Sequence, residues 1–185
     1  MWAAFLLSFG VIFVAELGDK SQLMALAFAT RYPAIPVLIG ITLATALVHA
    51  VSVLVGAALG AAIPTTAISI AAAAAFVAFG IWTLRGDELS DDEEERAAKP
   101  TRNVIFAVGG AFFLAELGDK TMLATITLAT TEGLFGTWLG STIGMVAADS
   151  LFLAGLGIEM LPLVFIFMPL VMAVFAPIYS LLIGK

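Results

Sequence analysis

The chain has 185 residues, 62% hydrophobic and 12% charged, with a mean hydropathy of +1.11. No water-soluble domain of this size is so apolar, which puts the membrane class first. The net charge of −6 comes largely from one run of seven acidic and three basic residues between Asp87 and Arg102, so it points to no nucleic-acid partner.

A membrane helix needs roughly 20 mostly apolar residues. Six segments qualify. The first is about Trp2–Ala29. No basic region precedes it, and Glu16-Leu17-Gly18-Asp19 interrupts it, so it is not expected to be a secretory signal. After Arg31-Tyr32-Pro33 comes the second, about Ala34–Ala61, and after Pro64 the third, about Thr66–Leu84. The acidic stretch then reads as a solvated linker. The fourth segment is about Asn103–Thr130, the fifth about Leu134–Gly157 and the sixth about Leu161–Ile183, with breaks at Glu132-Gly133 and at Glu159 before Pro162. Each break carries Pro, Gly or charge, as loop punctuation should. No strand alternation is sustained, so a β-barrel is not expected. The expected fold is an all-α integral membrane protein of six transmembrane helices.

Orientation follows from Lys and Arg. The N-terminus, the second and fourth loops and the C-terminus carry only Lys185, whereas the other loops carry Arg31, Arg85, Arg96, Lys99 and Arg102. The positive-inside bias puts the acidic linker in the cytoplasm and both termini outside it.

Ala15-Glu16-Leu17-Gly18-Asp19-Lys20-Ser21 returns 100 positions later as Ala115-Glu116-Leu117-Gly118-Asp119-Lys120-Thr121. Leu23, Ala29 and Thr30 match Leu123, Ala129 and Thr130, Gly40 and Thr42 match Gly140 and Thr142, and His49 aligns with Asp149. Three helices separate the two motifs. Three is odd, so the second copy enters the membrane from the opposite face. The organisation predicted is two inverted three-helix repeats, 1–85 and 103–185, joined by the linker 86–102, with a site near the midplane between them. Gly136, Gly140 and Gly144, partly repeated by Gly40 and Ala44, are spaced for close helix packing and are assigned no chemistry.

A carboxylate at the depth of Glu16 or Glu116 costs several kcal/mol unless it is paired or wet. Glu and Asp three apart share a helical face. Glu16 with Asp19, facing Glu116 with Asp119, would converge four carboxylates near the two-fold axis. Gly18 and Gly118 permit close helix contact or local unwinding, and Ser21 and Thr121 add hydroxyls nearby. Glu and Lys four apart can instead neutralise each other within a helix. Two identical copies at the place where inverted repeats keep their site argue against that plain reading. Lys20 and Lys120 can snorkel, hold the carboxylates in place, or offset their charge when no ion is bound.

Hard oxygen ligands suit Ca²⁺, Mn²⁺ or Mg²⁺. Copper and zinc usually want thiolate or imidazole. The chain has no cysteine, and its single histidine, His49, cannot build a multi-histidine site. Met24 and Met122 lie near the motifs, where filler is the better reading than a soft ligand. Crowded carboxylates in a dry site cannot all stay ionised, so protons can replace the departing cation. Alternate binding of cation and protons at one site is the minimum for antiport. His49 and Asp149 either relay protons and line the path, or are polar groups hydrogen-bonded in the bundle interior; the residues leave both open.

The doubled Glu-x-Gly-Asp-Lys/Arg-Ser/Thr signature resembles that of the calcium/manganese:cation antiporter family of the Golgi, chloroplasts and bacteria, related to the lysine exporter superfamily. Both motifs match in full, and the resemblance covers essentially the whole chain. It implies two three-helix repeats around an acidic cytosolic loop, and export of Mn²⁺ or Ca²⁺ from the cytoplasm in exchange for protons. The short chain is similar to prokaryotic members, which implies the plasma (inner) membrane. The cation is cargo, and no cofactor is expected. The expected partners are lipid and the transported ions, with a homodimer left open.

Three rivals remain. An exporter of basic amino acids or other cationic solutes would need a roomier, aromatic-lined site than these small residues suggest. An intramembrane aspartyl protease would pair unlike motifs, whereas Asp19 and Asp119 sit in identical ones, so an enzyme is not expected. A channel has no use for alternating-access repeats.

Overall fold

A computed structural model describes residues 1–83 and 89–156, and every regular element among them is helical. The elements are α1 (Trp2–Glu16), α2 (Lys20–Ala29), α3 (Ala34–Ala62), α4 (Thr65–Thr83), α5 (Asp91–Ala98), α6 (Val104–Glu116), α7 (Lys120–Ala129) and α8 (Leu134–Leu151), which runs into a widened turn, Phe152–Leu156. The sixth predicted helix and Arg85 lie outside the described residues.

Among the described residues, two helices are long and apolar enough to cross a membrane by themselves: α3, and Leu134–Gly155. The α1–α2 pair makes a third span if the two are taken together. The chain is therefore a membrane protein, helical in every described element. Pro36 falls in the first turn of α3, where the missing N–H would have had no helical partner. Ile63, before Pro64, is extended and ends the helix. Leu43, Leu47, Leu54, Val77, Phe106 and Leu114 remain exposed on the described surface, which suits contact with lipid rather than water.

The expectation of continuous helices over Trp2–Ala29 and Asn103–Thr130 is corrected. Both segments break inside the motif. α1 and α2 meet at 74° across a three-residue gap. Leu17 is extended, and Gly18 takes φ +80. Leu117 is likewise extended, and Gly118 has φ +86. Only glycine adopts this left-handed geometry without strain, so the glycine at the centre of each motif is what lets the helix stop and restart. α1 alone is about 22 Å long at 1.5 Å per residue, short of a hydrocarbon core of about 30 Å. The break therefore falls at membrane depth. The predicted fifth helix is present as α8 and the widened turn that continues it, with a kink at Gly155, which has φ +83.

The motif helices pack crosswise. α1 lies along α8 and α6 along α3, so each is held by the long helix of the other half. Glycines permit the approach. A Cβ on Gly40 would stand 2.8 Å from the carbonyl oxygen of Ile105, and one on Gly140 would collide with the carbonyl oxygen of Phe5. Both members of the second pair lie 100 positions from the matching members of the first. α3 and α8 meet where the Thr45 hydroxyl donates to Met145 Sδ at 3.4 Å, again residues 100 apart. Nearby, Trp138 Nε1 donates to the Ala46 carbonyl at 2.9 Å.

An apolar cluster of Met24, Ala25 and Phe28 from α2, Val37 and Ile41 from α3, and Val108 and Phe112 from α6 lies beside the motifs. Burying one of its larger side chains contributes about 1.5–3 kcal/mol. The expected solvated linker is in part a folded element. Ser90 and Glu93 form a capping box at the start of α5. Asp91, Asp92, Glu93 and Glu94 occupy its first turn, where the helix dipole favours negative charge, and Arg96 lies in its last turn. Ala97, one turn beyond Glu93, is 3% exposed and joins the apolar cluster.

Candidate cation site

The break in each motif sets where its acidic groups stand. Glu16 ends α1, and Asp19 caps the start of α2, accepting a hydrogen bond from the Ser21 backbone N–H at 3.2 Å. Glu116 ends α6, and Asp119 stands at the start of α7, where its side chain makes no capping bond. Helix N-termini favour the negative charge of both aspartates. The hydroxyls expected near the site are in place: Ser21 Oγ donates to Glu16 Oε1, and Thr121 Oγ1 donates to Glu116 Oε2 at 2.9 Å. These bonds orient the carboxylates.

Of the four predicted carboxylates, three are drawn together. Glu16, Asp19 and Glu116 each offer one oxygen, and these oxygens lie within 4.8 Å of one another. All three residues are buried: Glu16 is 0% exposed, Asp19 3% and Glu116 1%. Asp119 is only partly buried and stands outside that group. Among the described residues, Glu16 Oε2, Glu116 Oε1 and Asp119 Oδ2 have no hydrogen-bond partner. Buried carboxylate oxygens are costly to leave unpaired. A hard divalent cation would satisfy several at once, since such ions are held by carboxylate oxygens.

The lysines are arranged unequally. Lys120 reaches across the halves and pairs with Asp19 Oδ1 at 2.5 Å. Lys20 turns away to the linker and pairs with Glu93 Oε1 at 3.2 Å. Burial pulls the Glu93 carboxyl up, but hydrogen bonds from the Ser90 backbone and hydroxyl, and then the Lys20 ammonium, outweigh it and hold the group below the usual carboxylate range.

His49 on α3 and Asp149 on α8 are both buried. Among the described residues, His49 Nδ1 and both Asp149 carboxylate oxygens have no partner, so the simple reading of hydrogen-bonded interior groups finds no support there. Met24 is fully buried in the apolar cluster, the filler role expected of it. Met122 is different: its Sδ accepts from the Gly118 N–H at 3.2 Å. In the first motif the equivalent Gly18 N–H donates to Gln22 Oε1 at 2.9 Å, and Gln22 Nε2 donates to the Ala148 carbonyl at 3.3 Å. Two contributors escaped the sequence reading. Gln22 lies one residue past the motif, and its counterpart Met122 hides the correspondence. Glu93 lay in a charge run, though Ser90-x-x-Glu93 is a legible helix start.

Broken apolar helices that meet around buried carboxylates are the build of an ion-transporting membrane protein. The chain belongs to the family described as "Divalent cation/proton antiporter GDT1", whose profile matches residues 4–91 and 104–179. Among its relatives, a Vibrio cholerae protein named "Putative manganese exporter" is 33% identical over 146 residues, covering 77% of this chain and 71% of that one. A GDT1-like protein of Synechocystis is 33% identical over 162 residues, 78% of each chain. The chloroplastic protein PAM71 of Arabidopsis thaliana is 30% identical over 182 residues, covering 83% of this chain and 49% of that one. No solved structure matches the chain.

Proposed function

We propose that this chain exports Mn²⁺, Ca²⁺ or both from the cytoplasm in exchange for protons, by alternating access of one carboxylate site. The observation that carries the reading is the meeting of Glu16, Asp19 and Glu116, from opposite halves, at two helix breaks inside an apolar bundle. Six spans in two inverted repeats accommodate it. The crosswise contacts of Gly40 with Ile105 and of Gly140 with Phe5 support that organisation, because a two-fold relation exchanges them. The linker faces the cytoplasm and both termini face away, in the plasma membrane of a bacterial cell. The name of the Vibrio cholerae relative supports manganese as one cargo.

The cation enters when the carboxylates are ionised. Glu16, Asp19 and Glu116 supply its oxygens, and Asp119 completes the set as the halves close. Ser21 and Thr121 hold the two glutamates in orientation, while Gly18 and Gly118 hold the breaks open. When the cation leaves, three carboxylates this close cannot all stay charged in a dry site, so protons take its place. Rocking of one half against the other then presents the protonated site to the other side.

Uptake into proteoliposomes with Mn²⁺, Ca²⁺ or Mg²⁺ under an imposed pH gradient tests the reading. Cation should move against protons, and Glu16→Gln or Glu116→Gln should abolish the movement while the variants still fold. Unimpaired transport in both variants overturns the carboxylate site; cation flux indifferent to the pH gradient overturns antiport.

A further inference from the structure

The two motifs are identical at Glu-Leu-Gly-Asp-Lys, yet their lysines do different things. Lys120 crosses to Asp19. The two-fold counterpart of that pair would join Lys20 to Asp119. Lys20 is instead engaged by Glu93, an acid from the linker, which has no copy elsewhere in the chain. Asp119 is correspondingly loose: among the described residues Oδ2 has no partner, and the side chain does not cap α7.

Glu93 is built for this contact. Its Oε2 accepts from the Ser90 backbone N–H and hydroxyl, each at 2.9 Å, which fixes the carboxylate and leaves Oε1 for Lys20. α5 is tied down at its other end as well. Ala97 is buried against the α2 cluster, Arg31 Nη1 donates to the Ala98 carbonyl at 2.7 Å, and the Tyr32 hydroxyl donates to the Lys99 carbonyl at 3.3 Å.

We propose that Glu93 is a positioning residue of the transport site: docked α5 holds Lys20 off Asp119, leaving that aspartate open to the cation, and undocking of α5 lets Lys20 pair with Asp119 and displace it. The proposal rests on the function given above. It makes the linker a strap whose docking selects which motif lysine is withdrawn. Lys20 is the right group to share, because its side chain is 28% exposed and still free to swing, whereas Lys120 is 16% exposed.

Glu93→Gln is the test, because Gln at this position still serves a capping box and removes only the charge. The Mn²⁺ KM in proteoliposomes should rise about tenfold, the size of one lost charge-assisted contact, and Glu93→Asp should recover part of it. In a Lys20→Gln background, Glu93→Gln should change nothing further. A spin label on Glu94→Cys, in a chain with no other cysteine, should gain mobility in Glu93→Gln. An unchanged KM, or an equal effect without Lys20, overturns the proposal. If the wild type moves no divalent cation, the transport reading fails instead. The label then still decides the docking claim, and a label as immobile in Glu93→Gln as in wild type overturns it.

Discussion

Gly118→Ala separates the cost of the helix break from the cost of crowding. Gly118 holds φ +86, and among the described residues nothing lies within 4 Å of where a Cβ would stand. The substitution therefore adds no collision, only the strain of an L residue in left-handed geometry, about 1–2 kcal/mol. For a chain of this length each kcal/mol shifts the thermal midpoint by about 2–4 °C. The purified variant should melt roughly 2–8 °C below wild type. Asparagine is the side chain best tolerated in this conformation, so Gly118→Asn should fall between the two. Straightening the break relieves the strain but carries Asp119 away from Glu116, so initial transport rates should fall in the same order.

Gly140 is the contrasting site. It is an ordinary helical residue whose Cβ would strike the Phe5 carbonyl, so α1 and α8 must separate to admit it. Overpacking of this kind costs about 1–3 kcal/mol. Asparagine brings no conformational advantage there and is larger, so Gly140→Asn should be worse than Gly140→Ala. The ranking of Ala and Asn should invert between the two glycines. The same ranking at both, or a Gly118→Ala protein that melts with wild type, refutes the view that the breaks are held by left-handed glycine.

Lys120→Met should destabilise the cation-free protein by about 3–5 kcal/mol, because it strands the nearly buried Asp19 carboxylate. Mn²⁺ replaces the lost charge, so its thermal shift should exceed that of wild type, and an equal shift would show that the lysine does not stand in for the ion. Ser90→Ala removes the α5 cap at a cost of about 1 kcal/mol. Amide exchange in α5 should quicken about fivefold with the global midpoint unmoved; a fallen midpoint would mean that α5 does not open locally. The pH dependence follows from Glu93, whose carboxyl is held below its ordinary value in the docked state. A depressed folded value gives stability that is present above the undocked value and lost as pH falls through the docked one. The Glu94→Cys label should stay immobile from neutrality down through the ordinary carboxylate range and release only below it. Release near pH 6 would assign docking to another group.

Much of the architecture was legible because it follows from composition. Runs of apolar residues mark helices, and Pro33, Pro64 and Gly133 mark their ends. That residues of the two motifs meet was legible because the repeat is visible without geometry. The breaks at Gly18 and Gly118 were legible only as one of two options, local unwinding or close helix contact, since hydropathy averages across three residues and reads Trp2–Ala29 as one span. The apolar stretch sets how much chain lies in the bilayer, whereas one backbone angle decides whether it runs straight. The exclusion of Asp119 from the close cluster was equally hidden. Identical motifs predict identical environments, and nothing in Glu-Leu-Gly-Asp-Lys tells one copy from the other.

That inequality has a physical source. On the alternating-access mechanism proposed above, a site built from two like halves must be unlike in any one conformation, or neither side would be open. Within the repeat the copies differ at Ser21 and Thr121, Gln22 and Met122, and His49 and Asp149, while Glu-Leu-Gly-Asp-Lys itself is the same in both. A further difference comes from outside the repeat. α5 packs on α2 and α6, and through Glu93 it reaches Lys20. Charge then propagates the difference across the site: Lys20 is occupied outside the cluster, Asp119 is left without it, and Lys120 is drawn to Asp19. Reversing the choice at Glu93 shifts the lysine balance between the two aspartates, so a single linker carboxylate can bias a symmetric pair toward one of its two states. The bias needs only to match the small free-energy gap between those states, for which one half-buried ion pair suffices.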